Sequence, residues 1–392
     1  MPITRTSRSR PVTLLALGHA CVDVYQGSVA ALVPFFVAER AYTYAAASGV
    51  VLAASLLSSV VQPLFGALTD RWAMRPLLPV SALVSGVGVA LAGVTGSYAP
   101  TLALVALSGI GVAAFHPEAA RVARAAGRGS HTAMGWFSLG GNLGFATAPL
   151  LVSAVVATGG LRASPLLVVP GLAGAALCVA ALRSMPPRGT GTAAASGSGP
   201  AGGGRDDWAS FAGLSGAVVC RSVVFVGLSA FVSLYAARRT GGGDLAGTVA
   251  LFVLYVGGAV GAVVGGHLAT RFGRLPVVRW SYALTVPAVA GVVLVPGPVL
   301  YVFVALTSVG LYVPFSLQVT LGQDYLPRHV GTAGGVTLGL TVSVGGVASP
   351  LIGAVADATS LQVALAPLIL LPGVGWFLLR GLREPVAYSC KR

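Results

Sequence analysis

Apolar residues run in long blocks along this chain, broken at intervals by short clusters of Arg, Asp, Gly and Pro. The blocks are continuous rather than alternating and are too long for buried strands, so they predict helices apolar on all sides. A bilayer core of about 30 Å is crossed by roughly 20 such residues. Cutting at the charged, Gly and Pro clusters predicts spans at 12–37, 45–68, 77–95, 100–120, 132–157, 163–183, 208–236, 246–269, 276–296, 298–321, 331–355 and 361–382. The expected fold class is therefore an all-α membrane protein with twelve transmembrane helices. Between the sixth and seventh spans, "PPRGTGTAAASGSGPAGGGRDD" holds too little apolar surface to pack a core and reads as a flexible linker over 186–207. It separates two six-helix bundles, 1–185 and 208–392.

Composition agrees with this pattern. Of 392 residues 55% are hydrophobic and only 9% charged, with a mean hydropathy of +0.86; a soluble domain carries about 25% charged residues. The net charge of +14 raises the question of nucleic acid. The arginines, however, stand in ones to threes between apolar runs, without the basic face and interleaved aromatics of a nucleic-acid surface. They report topology instead. Among loop cations only Arg40, Arg162, Arg238 and Arg239 fall on one side; the rest, with both tails and the linker, fall on the other. Cationic loops stay cytoplasmic, which places both termini in the cytoplasm and makes an anionic inner leaflet the partner of the basic charge.

The N-terminal arginines before "PVTLLALGHAC" imitate a secretory leader, but the apolar run continues past Asp23 to "ALVPFFV" without a good cleavage site. It reads as the first span. Cys21, Cys178, Cys220 and Cys390 are scattered without disulfide or metal spacing. No phosphate-cradling loop, catalytic Ser/His/Asp set, metal cluster or dinucleotide motif emerges, so no cofactor, no metal and no enzymatic activity are expected.

The halves repeat each other. "GALTDRWAMR" (66–75) parallels "GHLATRFGR" (266–274), and "GFATAPLL" (144–151) parallels "GGVASPLI" (345–352). Repeated bundles with a site near the bilayer middle suggest alternating access. The first of these segments resembles the loop between helices two and three of the major facilitator superfamily, G-x-x-x-D-R-x-G-R-R. Gly66, Asp70, Arg71 and Arg75 match it, while Ala73 and Met74 depart; the second copy keeps Gly266, Arg271, Gly273 and Arg274 but has Thr270 in place of Asp. The resemblance implies the two-bundle major facilitator fold, pseudo-symmetric and monomeric. It also implies a cytoplasmic conformational latch of Gly66, Asp70, Arg71, Arg75, Arg121, Arg271 and Arg274. Within the superfamily, "GHACVDVYQGSVAALVPF", "QPLFGALTDRW", "FHPEAARVAR" and "GGNLGFATAPLL" resemble the fosmidomycin-resistance branch of drug efflux proteins. That resemblance implies proton-coupled export of small drug-like compounds across a bacterial inner membrane. A symporter or facilitator importing a small metabolite is the alternative in the same fold.

Polar residues inside the spans are the candidate site. Asp23 lies about 16 Å along the first span, near mid-membrane, with His19 and Gln26 on the same face. An ionisable group there costs at least about 2.5 kcal/mol unless it faces a cavity or a partner. It is either a structural hydrogen bond between helices or a protonation site tuned by His19. His116, Pro117 and Glu118 interrupt the fourth span, and Glu118 can pair with Arg121 at i, i+3. This stretch reads as a proton exit or gate, or as a structural ion pair with Arg121 and Arg124 snorkelling to the headgroups. Arg221 in the seventh span either neutralises a carboxylate or binds an acidic group of a substrate as a planar fork. Asn142 and Gln318 complete the candidate substrate-binding set.

Overall fold

The computed structural model describes residues 6–71, 74–127, 131–185 and 205–385. Among these, every regular element is helical. The elements are α1 (Thr6–Arg40), α2 (Tyr44–Arg71), α3 (Leu77–Ala92), α4 (Tyr98–Ala126), α5 (His131–Gly159), α6 (Val168–Arg183), α7 (Trp208–Thr240), α8 (Gly243–Phe272), α9 (Arg274–Leu294), α10 (Leu300–Tyr312), α11 (Phe315–Tyr325), α12 (Val330–Ala358), α13 (Leu361–Leu365) and α14 (Leu371–Arg380). Eight helical stretches are long and apolar enough to cross a membrane, joined by shorter apolar helices at Tyr44–Leu57, Leu77–Ala92 and Ser343–Ala358. One of the eight, Ala133–Arg183, reverses at Gly160, whose φ of +63° suits glycine, and so contains two spans. All twelve predicted spans are thereby accounted for.

Proline explains where the helices depart from the predicted runs. The tenth span divides into α10 and α11 at Val313–Pro314, where Pro314 has no N–H to continue the ladder. The twelfth divides into α13, a 3-10 turn at Ala366–Ile369 and α14, with Pro367 and Pro372 at the junctions.

The chain forms two compact units, Met1–Tyr42 with Ala46–Ala193, and Thr43–Ala45 with Ala194–Arg392. In the first, α1 packs on α5 and α6, and α3 on α4 and α6. In the second, α7 packs on α12 and α14, and α9 on α10 and α14. The same pairing scheme recurs, which is the packing counterpart of the sequence repeat. Small residues permit the tightest pair: any Cβ at Gly140 or Gly144 on α5 would strike the backbone of Ala16 or Ala20 on α1.

The repeat extends to the capping of helix ends. Arg40, at the end of α1, donates to the carbonyls of Gly93 (2.6 Å) and Thr95 past α3. Arg239, in the last turn of α7, donates to the carbonyl of Leu294 (3.0 Å) at the end of α9. Two of the cations on the cation-poor side of the chain are thus held by the negative ends of helices.

Candidate functional site

The first unit gathers three side chains named from the sequence. His19 and Asp23 are one turn apart on α1, and His116 reaches them from α4. Asp23 Oδ2 lies 3.2 Å from His19 Nε2, and Asp23 Oδ1 lies 3.1 Å from His116 Nε2. Side-chain exposures are 9% and 12% for His19 and Asp23 against 24% for His116, which makes His116 the most accessible of the three. The His19 ring stacks on Phe137 of α5 at 4.2 Å between centroids and stands edge-on to His116 at 5.2 Å.

Backbone carbonyls orient both imidazoles. His19 Nδ1 is 2.9 Å from the carbonyl of Phe137, and His116 Nδ1 is 2.8 Å from that of Val112. A carbonyl only accepts, so each Nδ1 carries a proton, and each Nε2 faces Asp23 as a bare lone pair in the neutral ring or as a donor in the imidazolium. With both rings neutral, the buried His19 Nε2 and Asp23 Oδ1 have no donor between them and their neighbours at 3.2 and 3.1 Å. In that neutral state the lone pairs of two imidazoles and a carboxylate converge on one small volume, and a proton or another cation is what it lacks. His19, Asp23 and His116 are also the group able to hold a metal ion, with ligand atoms all within 4.8 Å of one another.

Gly141, one turn beyond Phe137 on α5, closes the seat. A Cβ there would stand 2.6 Å from Asp23 Oδ2 and 2.7 Å from His19 Nε2. Neither Phe137 nor Gly141 was singled out for this role by the sequence, although their spacing of four residues in a Gly-rich helix is the signal that one helix face is kept bare.

The HPE stretch of α4 divides between two partners. His116 joins Asp23, whereas Glu118, fully buried, receives Arg121 Nε at 2.7 Å. The helix runs on through Pro117. Gln26 and Asn142 are half-buried and make no hydrogen bond among the described residues.

The predicted latch residues are dispersed. Gly66 faces Pro117, with 4.0 Å from its would-be Cβ to that ring. The side chains of Asp70 and Arg71, at the end of α2, lie outside the described residues; Arg75 is half-buried before α3. In the second copy, Gly273 has a φ of +86°, a conformation that favours glycine. It lets Arg274 turn inward, buried at 5%, to pair with Asp324 at 2.7 Å and Glu384 at 2.9 Å. Asp324, near the end of α11, is thereby an ion-pair partner. Arg271 is exposed at the end of α8 and lies over the Phe272 ring.

Arg221 and Gln318 are interior residues of the second unit, at 2% and 1% exposure. Arg221 Nη1 donates to the carbonyl of Leu311 at 3.3 Å, and its guanidinium lies 5.1 Å over the Phe315 ring. Gln318 Nε2 donates to the Tyr282 hydroxyl at 2.9 Å, which in turn donates to the carbonyl of Ala217 at 2.6 Å. The end of the predicted linker is tied to the same unit. Asp207 caps α7 by accepting from the Ser210 N–H at 3.0 Å, and Asp206 accepts from the Arg328 N–H (3.0 Å) and contacts His329 Nδ1 (2.7 Å).

Comparison with known proteins bears on this architecture. The chain is 29% identical over 376 residues to an uncharacterized MFS-type transporter, YfnC, of Bacillus subtilis, covering 92% of this chain and 90% of that one. It is 27% identical over 372 residues to the fosmidomycin resistance protein of Escherichia coli, with the same coverage. Among solved structures, a bacterial homolog of the human lysosomal transporter Spinster superposes with a TM-score of 0.75 at 16% identity, over 96% of this chain and 97% of that one. The nucleoside transporter NupG superposes with a TM-score of 0.74 at 13% identity, over 94% and 98%. A family model of the Major Facilitator Superfamily matches residues 15–382. With twelve apolar spans, two bundles of one packing scheme and this match along nearly its whole length, the chain is a multi-pass membrane transporter of the Major Facilitator Superfamily.

Proposed function

We propose that the chain is a proton-coupled secondary transporter. It exports small drug-like compounds, acidic ones among them, across the bacterial inner membrane by alternating access. The observation that carries this reading is the Asp23 carboxylate, buried in an apolar span and faced by the Nε2 atoms of His19 and His116. A proton entering this seat supplies the hydrogen that its contacts lack, and a proton leaving restores the opposed lone pairs. The cluster therefore exchanges one small cation at a depth where an uncompensated charge is costly. The likeness to the fosmidomycin resistance protein supports efflux.

Arg221 serves as the fork for an acidic substrate group, with Gln318, Gln26 and Asn142 as polar contacts. Gly66, Asp70, Arg71, Arg75, Arg121, Arg271 and Arg274 act away from the substrate, as a cytoplasmic latch between conformations. The protein works as a monomer with both termini in the cytoplasm, its basic loops against anionic lipid.

Everted vesicles test the reading. An exporter accumulates an acidic drug such as fosmidomycin when the vesicle interior is acidified, and the accumulation collapses with the pH gradient. Movement of substrate out of the vesicles together with protons identifies an importing symporter instead. Uptake indifferent to the gradient identifies a facilitator.

A further inference from the structure

We propose that the His19–Asp23–His116 cluster is also a binding site for a divalent transition-metal ion of the zinc type. Four observations carry this. The ligand set, two imidazoles and one carboxylate, suits zinc and cobalt, while thiolate, which would select softer ions, is absent from the three.

The histidines present the correct nitrogen. A metal-bound imidazole characteristically donates its other N–H to a carbonyl or carboxylate, which sets the tautomer and aims the ring. Both rings here do so, through Phe137 on α5 and Val112 on α4, before any ion is considered.

The spacing is right. Bonds of about 2.0–2.2 Å at a tetrahedral ion place neighbouring ligand atoms about 3.3–3.5 Å apart. The two nitrogen–oxygen separations are 3.2 and 3.1 Å, one to each oxygen of Asp23, and the three ligand atoms lie within 4.8 Å of one another, so an ion would draw the side chains together as it binds.

The atoms are also available. With both rings neutral, His19 Nε2 and Asp23 Oδ1 are buried without a donor and free to hold an ion in its place. The half-open His116 side gives an ion a route in and leaves a position for water. An ion seated here joins α1 to α4 and occupies the volume that the coupling proton needs, so it blocks transport. The binding rests on the geometry alone; its effect on transport rests on the functional reading above.

The experiment titrates Co²⁺ into the purified, chelator-treated full-length protein in lipid nanodiscs, followed by its visible absorption. Zn²⁺ competition and Zn²⁺-dependent thermal stabilisation are read in parallel. The wild type should bind about one ion with the intense absorption of a four-coordinate N/O site, displaced by Zn²⁺. His19→Ala and His116→Ala should each weaken binding at least about ten-fold and remove the stabilisation. A variant with all four cysteines changed to Ser should retain both signals. Folding of each variant is verified by its metal-free melting temperature, and His116→Gln supplies a gentler substitution if the alanine variant melts early. Absence of saturable binding, binding unchanged in the histidine variants, or its loss in the cysteine variant overturns the proposal. Proton-driven transport measured with chelator present tests the functional reading separately, so either can fail alone.

Discussion

Asp23 of α1 and His116 of α4 meet at 3.1 Å in the interior of the first bundle, with His116 held by its own helix carbonyl and Asp23 held by α1. Neither helix alone makes a site. Their crossing puts a carboxylate opposite an imidazole nitrogen, and the consequences are measurable.

Asp23→Asn keeps the size and much of the hydrogen bonding of the side chain but removes its charge. Gradient-driven transport should fall to background while the protein still inserts and its melting temperature stays within a few degrees. Transport in everted vesicles and thermal unfolding of the purified variant check this; full gradient-driven uptake would remove Asp23 from the coupling site.

Gly141→Ala tests the seat from the other side. Its methyl would stand 2.6 Å from Asp23 Oδ2, so α5 must shift or the carboxylate must turn. Overpacking of this kind costs about 1–3 kcal/mol. Coupled transport should drop several-fold, and Gly140→Ala, which presses on the α1 backbone instead, should cost stability more than coupling.

Arg121→Ala leaves the fully buried Glu118 without its cation. A stranded polar group costs about 1–3 kcal/mol, and more when charged. The double variant Glu118→Gln, Arg121→Gln should recover most of that loss in a thermal-shift assay. Equal melting for the single and double variants would show that the pair contributes little.

Arg221→Lys keeps the charge but replaces a bidentate fork with a point charge. Binding of an acidic ligand should weaken, and Arg221→Ala should lose about ten- to a hundred-fold, the value of roughly 1.5–3 kcal/mol for a charge-assisted bond. A neutral ligand should be spared. Equal losses for both ligands would mean that Arg221 braces the bundle through Leu311 and Phe315 rather than recognising an anion.

At the end of the linker, partial burial of Asp206 opposes its charge, but hydrogen bonds from the Arg328 N–H and His329 outweigh it and hold its pKa below the usual carboxylate value. A carboxylate depressed in the folded state stabilises above its unfolded pKa of about 3.9 and loses that contribution as pH falls through the folded value. The difference in melting temperature between wild type and Asp206→Asn should therefore be constant near neutrality. It should shrink only below about pH 4, and a difference that stays constant through that range would take the Asp206 charge out of the explanation.

Much of this protein could be read from its sequence because a bilayer imposes simple rules. Backbone groups in lipid must bond within their own segment, so length and apolarity alone predict the helices, and the repeat of "GALTDRWAMR" and "GHLATRFGR" predicts that one packing scheme is used twice. The isolated polar residues Asp23, His116, Glu118 and Arg221 were legible for the same reason, since an ionisable group in such a run is costly enough to need a purpose. Partners on the same helix were legible and partners on another helix were not. Spacing joins His19 to Asp23 on α1 and Glu118 to Arg121 on α4, but only the crossing of α1 and α4 sends His116 to Asp23, although His116 and Glu118 stand on either side of one proline. Only the packing brings the Phe137 carbonyl and the bare face of Gly141 against the cluster, and sets Asp324 of α11 beside Arg274. Composition along a chain states what must be compensated; which atom compensates it is decided by distances of about 3 Å between segments far apart in sequence.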